Sequence, residues 1–443
     1  MFKYLPHTQA DIDAMLKAIG VDSVEELYRD IPEELRDFSL DIPHAHSELE
    51  LQHHFKQLAA MNKPLKPFIG AGVYDHYTPS IINHLINRQE FLTAYTPYQP
   101  EVSQGTLQYI FEYQSMITQL TGMDVSNASM YDGATATAEA MLMAHAIRKK
   151  QSTILVSETI NPNIINVLHT YADIQDITIK KVPESDGHID TTKLKAMLDS
   201  DVAALIVQTP NLYGVIENYK DVSQMLSDYK ALFIINQDPS TLSHLKTPAS
   251  WGADIAVGEA QSLGVPMSYG GPYIGYMATL KKHMRKMPGR ICGVTTDKDG
   301  KRAYVLTLQA REQHIRRDKA NSNICSNQSL MALFVTIYLS VMGKKGLYEV
   351  QQTSFNHAHY LHDMLLKLPA FEKAFDQPFF KEFTLKTSLD IELLNNKLIK
   401  NGLLGPLDHG RFNQDKAGYV TFAVTEKRSK EEMDALIRIL GEL

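Results

Sequence analysis

From about residue 90 onward, short apolar, β-branched runs alternate with longer stretches in which apolar residues recur every three or four positions. The runs at 153–157, 177–182, 203–207, 231–235 and 254–257 are dominated by Ile, Val, Leu, Ala and Phe. Runs of that length and composition read as buried strands, and the segments between them are long enough for helices. The pattern predicts an α/β fold built on a mostly parallel, helix-covered sheet. In such sheets ligands sit outside the carboxyl ends of the strands, which directs attention to 208–211, 236–239 and 258–261.

The flanks read differently. Thr8 followed by Asp11 resembles a helix capping box with Gly20 as a stop, and Ser23 followed by Glu26 repeats the start before Ile31-Pro32 breaks the pattern. Near the other end, a long apolar helix at 330–341 leads to short apolar segments at 380–383 and 419–424 and a helix at 430–440. The expected organisation is an N-terminal helical arm (1–65), a large α/β domain (66–325), and a linking helix with a small C-terminal α+β domain (326–443).

Composition narrows the class. With 443 residues, 44% of them hydrophobic and 21% charged, the chain can bury a large core. A formal charge of −7 provides no overall positive field for phosphate backbones, so nucleic acid is excluded as the expected partner. Cys292 and Cys325 are too few for a disulfide framework and are expected to be buried free thiols in a reducing compartment. No apolar leader-like segment follows Met1 and no 18-residue apolar run is apparent later. A soluble, cytoplasmic protein without membrane association is expected, with no metal site.

Four constellations are candidates for chemistry. In Tyr95-Thr96-Pro97-Tyr98-Gln99-Pro100-Glu101 two prolines stiffen a loop bearing two phenols, an amide and a carboxylate, which suits substrate positioning as well as a plain surface loop. Asp132-Gly133-Ala134 opens a helix with small residues that would let backbone amides approach a phosphate, but Asp132 would repel the anion and serves equally as an N-cap. Gln261 to Pro272 is a glycine-rich loop after a buried strand, where Gly270-Gly271 permits positive φ and close approach to a ligand or second subunit. Asp238 and Asp254 stand at strand ends, where a carboxylate either partners a pyridinium or caps a helix. Finally, Arg311 to Cys325 carries Arg311, His314 and Lys319, fit for gripping a carboxylate or an acidic protein, or for an ordinary charged surface.

Taken together, the segments 68–77, 95–105, 129–140, 264–272 and 311–325 resemble, in order, the α subunits (subunit 1) of glycine dehydrogenase (decarboxylating), the split, two-gene form of the P-protein family of the glycine cleavage system. Tyr-Thr-Pro-Tyr-Gln followed by Arg-Glu-Gln-His-Ile-Arg-Arg is the most specific part. The resemblance implies the fold-type I pyridoxal-phosphate architecture of aspartate aminotransferase, with a mostly parallel seven-stranded sheet. Where that architecture places its cofactor lysine, this chain has Gln261, whose amide cannot form a Schiff base.

The resemblance further implies an α2β2 assembly in which the partner β subunit carries pyridoxal phosphate and this chain binds no cofactor itself. Glycine loses CO2, and the aminomethyl group passes to the lipoyl arm of the H-protein. The catalytic candidates are Tyr95, Tyr98, Gln99 and Glu101, reaching the partner's site, with Arg316 and Arg317 as docking candidates. Two alternatives stay open: a self-sufficient pyridoxal enzyme using Lys246 or Lys281, and a non-catalytic scaffold.

Overall fold

A computed structural model describes residues 4–36 and 41–443; Met1, named above, lies outside them. The chain divides into two compact units, Met1–Lys63 and Pro64–Leu443. In the first, helix Gln9–Ile19 opens on the expected capping box: Thr8 Oγ1 accepts from Asp11 N (3.3 Å) and the Asp11 carboxylate accepts from Thr8 N (2.7 Å). Gly20, at φ 84°, ends it. The second expected helix is a single 3-10 turn, Glu25–Tyr28, with Ser23 Oγ accepting from Glu26 N at 3.3 Å. A third helix, Glu48–Ala60, begins on a Ser47–Glu50 capping box that the periodicity did not single out.

The second unit is built on a seven-stranded sheet of β1 (Val125–Ser126), β2 (Thr153–Ser157), β3 (Thr178–Val182), β4 (Val202–Gln208), β5 (Leu232–Asn236), β6 (Ile255–Glu259) and β7 (Gly275–Thr279). Its order is 1-7-6-5-4-2-3. Strands 3, 2, 4, 5 and 6 are parallel, whereas β7 runs antiparallel between β6 and β1. Side-chain alternation along each strand feeds two cores. From β4, Leu205 and Val207 join Tyr219, Phe233, Tyr276, Phe334 and Tyr338 on one face, while Ala204 and Ile206 join Ile154, Ile234, Val257 and helices Gly133–Ile147 and Pro162–Ala172 on the other. Burial on both faces explains why the strands read as near-continuous apolar runs, each large side chain contributing roughly 1.5–3 kcal/mol.

The long helix extends well beyond the expected 330–341. It covers Ser329–Leu365, with non-helical backbone at Gly343 (φ 57°, ψ −173°). By length and apolarity alone it could cross a membrane, which corrects the expectation that no such run exists. However, Ala332, Leu333, Phe334, Val335 and Tyr338 are buried in the protein interior, so it is a core helix. Beyond it, an antiparallel sheet takes the order Phe371–Lys373, Glu382–Thr387, Tyr419–Ala423, Leu407–Asp408. Phe383 and Phe422 stack across it at 5.7 Å, covered by Leu361, Leu365 and Leu436. Lys66–Pro67 pairs in parallel with Leu403–Leu404 beside this sheet, which sends the following segment, 68–78, toward the carboxyl ends of β4–β6.

Gly264 sets the seat of the loop after β6. It sits at φ 81°, and a Cβ there would overlap the buried ring of Tyr338. Gly264→Ala is therefore expected to cost at least about 2 kcal/mol, from overpacking and left-handed strain together, read as a lowered midpoint in urea unfolding; an unchanged midpoint would show that the helix yields to the extra methyl.

Candidate functional site

The carboxyl ends of the parallel strands open onto a cavity of about 380 Å³, lined by Gln208 at the end of β4 and Pro210 beyond it, Asn236 at the end of β5 and Asp238 beyond it, and Glu259 at the end of β6. Asp132-Gly133-Ala134 at the start of helix Gly133–Ile147, the segment 71–74, and Lys381-Glu382 complete it. The strand-end rule located this cavity from sequence; Lys381 and Glu382 were not anticipated.

Asp238, Lys381 and Glu382 line it, and a polar network runs from Lys381 into the protein. Lys381 Nζ lies 2.6 Å from Asp238 Oδ2 and 3.0 Å from His76 Nε2, and His76 Nδ1 lies 2.6 Å from Glu426 Oε2. The Lys381 ammonium also sits 3.9 Å from the centre of the Tyr74 ring and donates to Ser240 Oγ at 3.1 Å. Asp238 Oδ1 accepts from Ser240 N (2.9 Å), Ser240 Oγ (2.8 Å) and the Ser262 hydroxyl. Burial opposes ionisation of Asp238, but the Lys381 ammonium outweighs it and holds the carboxyl below its ordinary range. Glu426 is likewise buried, yet the hydrogen bonds from His76 and Tyr77 N bring it down to about 2. Glu382 goes the other way: burial dominates and raises it, although Ala71 N (2.7 Å) and Tyr74 Oη (2.7 Å) donate to it.

These residues do not fit pyridoxal phosphate in this chain. Gln261 is fully buried and saturated: its Oε1 accepts from Tyr74 N (2.8 Å), and its Nε2 donates to Tyr74 O (2.9 Å) and Val265 O (2.6 Å). It pins the segment 71–74 to the loop after β6. At the helix start, where a phosphate would be held, Glu259 Oε2 accepts from Gly133 N at 2.9 Å and Asp132 Oδ1 accepts from Thr135 N at 2.7 Å. The approach is close because residue 133 is glycine; a Cβ there would come within 2.7 Å of Glu259 N. Burial pushes the Glu259 carboxyl up to about 8, against the donors Gly133 N, Ile274 N and Gln261 N. Asp238, the natural partner of a pyridinium nitrogen, is already neutralised by Lys381. Anchor, anion cup and ring partner are each occupied by the chain's own side chains.

The other sequence candidates distribute as follows. Tyr95 and Tyr98 are 72% and 67% exposed, Gln99 and Glu101 are exposed as well, and none of the four side chains has a hydrogen-bond partner among the described residues. They stand together on the proline-stiffened loop, outside the strand-end cavity; the Arg290 guanidinium lies 5.7 Å from the Tyr98 ring centre. Residues Ser268, Tyr269, Gly270 and Gly271 all have positive φ and project Tyr269 into solvent. Asp254 sits at the opposite end of its strand, paired with Lys282 (3.0 Å) and His283 (3.1 Å), so it has no part in the cavity. Neither Lys246, over the Trp251 ring at 4.3 Å, nor Lys281 lines it. Arg311 donates Nη2 to Gly289 O (2.8 Å), Nε to Leu308 O (3.1 Å) and Nη1 to Met287 O, a structural use, whereas His314, Arg316, Arg317 and Lys319 are exposed. Cys292 is buried, with its thiol pushed up to about 12 by burial; Cys325 is exposed, against expectation.

Comparison with known proteins agrees with this architecture. The family model described as glycine cleavage system P-protein matches residues 2–440. A probable glycine dehydrogenase (decarboxylating) subunit 1 from Desulforamulus reducens is 48% identical over 445 residues, covering 100% of both chains. A crystal structure of glycine decarboxylase (P-protein) of the glycine cleavage system, in inhibitor-bound form, superimposes with a TM-score of 0.92 at 40% identity, covering 100% of each chain. Lactobacillus brevis glutamate decarboxylase shares the fold at 14% identity, with a TM-score of 0.71 over 95% of this chain and 96% of its own.

Glu259 generates a pH signature. The folded carboxyl keeps its proton up to about 8 and the unfolded one releases it near 4.5, so between these values the folded state holds the extra proton and stability falls as pH rises. Relative to Glu259→Gln, the unmodified chain is expected to lose up to a few kcal/mol between about pH 5 and pH 8.5, measured by urea unfolding of both proteins; a difference that does not move with pH would rule this behaviour out.

Proposed function

This chain belongs to the glycine cleavage system P-protein family, and from that membership we propose that it is the α subunit of a glycine decarboxylase whose cofactor-bearing site lies in a partner β subunit. One observation carries the division of labour: the buried, fully hydrogen-bonded Gln261, with Glu259 and Lys381 filling the remaining cofactor positions, leaves this chain without a place for pyridoxal phosphate. On this reading the partner's cofactor supplies the electron sink for loss of CO2 from glycine.

What this chain contributes is a rigid, exposed polar loop. Pro97 is buried and Tyr98 N donates to Thr96 O at 2.9 Å, so the backbone is fixed while Tyr95, Tyr98, Gln99 and Glu101 remain free to meet a partner. Their assigned role is to complete the β subunit's site, the two phenols orienting glycine or the lipoyl group of the H-protein. The aminomethyl carbon bonds to one lipoyl sulfur as the disulfide opens, and the other sulfur leaves as a thiol. The assembly is α2β2 and cytoplasmic, with Arg316 and Arg317 available for docking. The scaffold reading is disfavoured by a polar loop whose Tyr95, Tyr98, Gln99 and Glu101 side chains make no hydrogen bond among the described residues.

Two measurements test this. The isolated chain mixed with pyridoxal phosphate is expected to show no borohydride-trapped absorbance band, whereas the αβ complex shows the band and supports glycine–bicarbonate exchange with H-protein; a trapped band on the isolated chain would overturn the reading and make Lys381 the residue to map. Tyr95→Phe and Tyr98→Phe are each expected to lower kcat/KM about ten-fold, the worth of one hydrogen bond of ~1.4 kcal/mol, without loosening the complex. Unchanged kinetics in both would leave the loop as scaffold.

A further inference from the structure

We infer that this chain carries a second binding site, for a small organic anion bearing two or more phosphate or carboxylate groups, in a basic cavity that shares no lining residue with the strand-end cavity. The cavity encloses about 560 Å³. Its cations arrive from three separate parts of the chain: Lys149 from just past helix Gly133–Ile147, Arg285 and Lys286 from the turn Lys281–Lys286, and Arg316 and Lys319 from the segment after the second β-hairpin strand, Arg302–Thr307. No carboxylate lines it. In a chain with 51 acidic and 44 basic residues, such a one-sided lining is a local feature that runs against the overall balance.

The pairing pattern sharpens the point. Some lysines elsewhere pair with carboxylates, as Lys282 does with Asp254 at 3.0 Å, Lys416 with Glu184 at 2.5 Å and Lys427 with Asp75 at 2.5 Å. Around this cavity Lys149, Arg285, Lys286 and Lys319 have no side-chain hydrogen bond or ion pair among the described residues, and Arg316 donates only Nε, to Ala310 O at 3.0 Å. Arg311, held by three backbone carbonyls, adds a cation that cannot swing away. Like charges gathered around one concavity raise each other's energy, and an anion with several charges removes that cost in one step. Arginine forks match the oxygen geometry of phosphate and carboxylate.

Shape favours a small ligand over an acidic protein surface. The cations rim a concavity whose wall includes Ala146, Leu308 and Ala310, and its volume lies in the range of small-molecule sites, roughly 300–1,000 Å³. Apolar wall with convergent charged groups is the arrangement that holds a compact polar molecule by its carbon frame and its anionic ends.

Calorimetric titration of the full chain, and of its complex with the β subunit, with inorganic tripolyphosphate and separately with citrate tests the proposal; the two arms tell phosphate from carboxylate preference. Saturable one-site binding by at least one anion, with a Kd below about 1 mM in about 150 mM salt, is expected. The exposed pair Lys149→Gln with Arg285→Gln should weaken it at least about ten-fold, whereas Lys344→Gln with Lys400→Gln, which removes two exposed cations elsewhere, should leave it unchanged. The proposal is overturned by no saturation with either anion at about 10 mM, or by equal weakening in both double variants, which would mark diffuse charge attraction. Loss of β-subunit association in the Lys149/Arg285 variant without anion binding would make the surface a protein interface and would also overturn it.

Discussion

The second unit depends on one buried contact, that between Lys381 and Asp238. It joins the residue that enters the C-terminal antiparallel sheet to the carboxyl end of a central strand of the main sheet, and it does so in the interior, with the Lys381 side chain only 3% exposed. A buried ion pair adds little over well-packed apolar residues, but removing one partner alone strands the other charge at a cost of roughly 3–5 kcal/mol. The flanking groups cannot be chosen independently. His76 and Glu426 extend the same charge sequence, Tyr74 covers the ammonium, and the Tyr74 backbone is in turn clamped by Gln261. The segment 71–76, the loop after β6 and the strand Glu382–Thr387 are therefore placed as one polar assembly.

Much of this fold was legible because it follows from burial. Strands packed on both faces must be apolar throughout, so residues 203–207 and 231–235 declared themselves, and the strand-end rule then led to Asp238 and Glu259. Asp132 capping its own helix was also readable, since the interaction spans three residues. What stayed hidden depends on partners far apart in sequence. Nothing local to Lys381 says that it meets Asp238, although a Lys-Glu pair inside Phe379-Phe380-Lys381-Glu382-Phe383 is an anomaly: two charges in an aromatic run must either face water or find buried partners. Glu259, similarly, reads as the polar end of a strand until the helix start arrives against it. The helix beyond Gly343 was missed because a glycine ordinarily marks a helix end, whereas here the chain resumes helical geometry one residue later.

The two exposed features, the Tyr95–Glu101 loop and the basic cavity, have the opposite character. Tyr95, Gln99 and Glu101 in the one, and Lys149, Arg285, Lys286 and Lys319 in the other, make no side-chain hydrogen bond or ion pair among the described residues. The polar groups around Lys381 are paired within the chain; the surface groups are oriented by anchors, Pro97 in one case and the backbone-bound Arg311 in the other. That contrast separates what the protein needs in order to fold from what it offers to other molecules.

The self-filled cavity also bears on how such a chain can change over evolutionary time. A lysine at position 261 would leave the buried Tyr74 N–H without its acceptor and place an ammonium where two backbone carbonyls and an amide N–H now fit a glutamine. Clearing the helix start would require Glu259 to go as well, and freeing Asp238 would require replacing Lys381 without leaving the aspartate unpaired. Each of these changes, made alone, breaks a buried polar contact of this chain. Folding stability alone therefore constrains positions 259, 261 and 381, independently of any selection on activity.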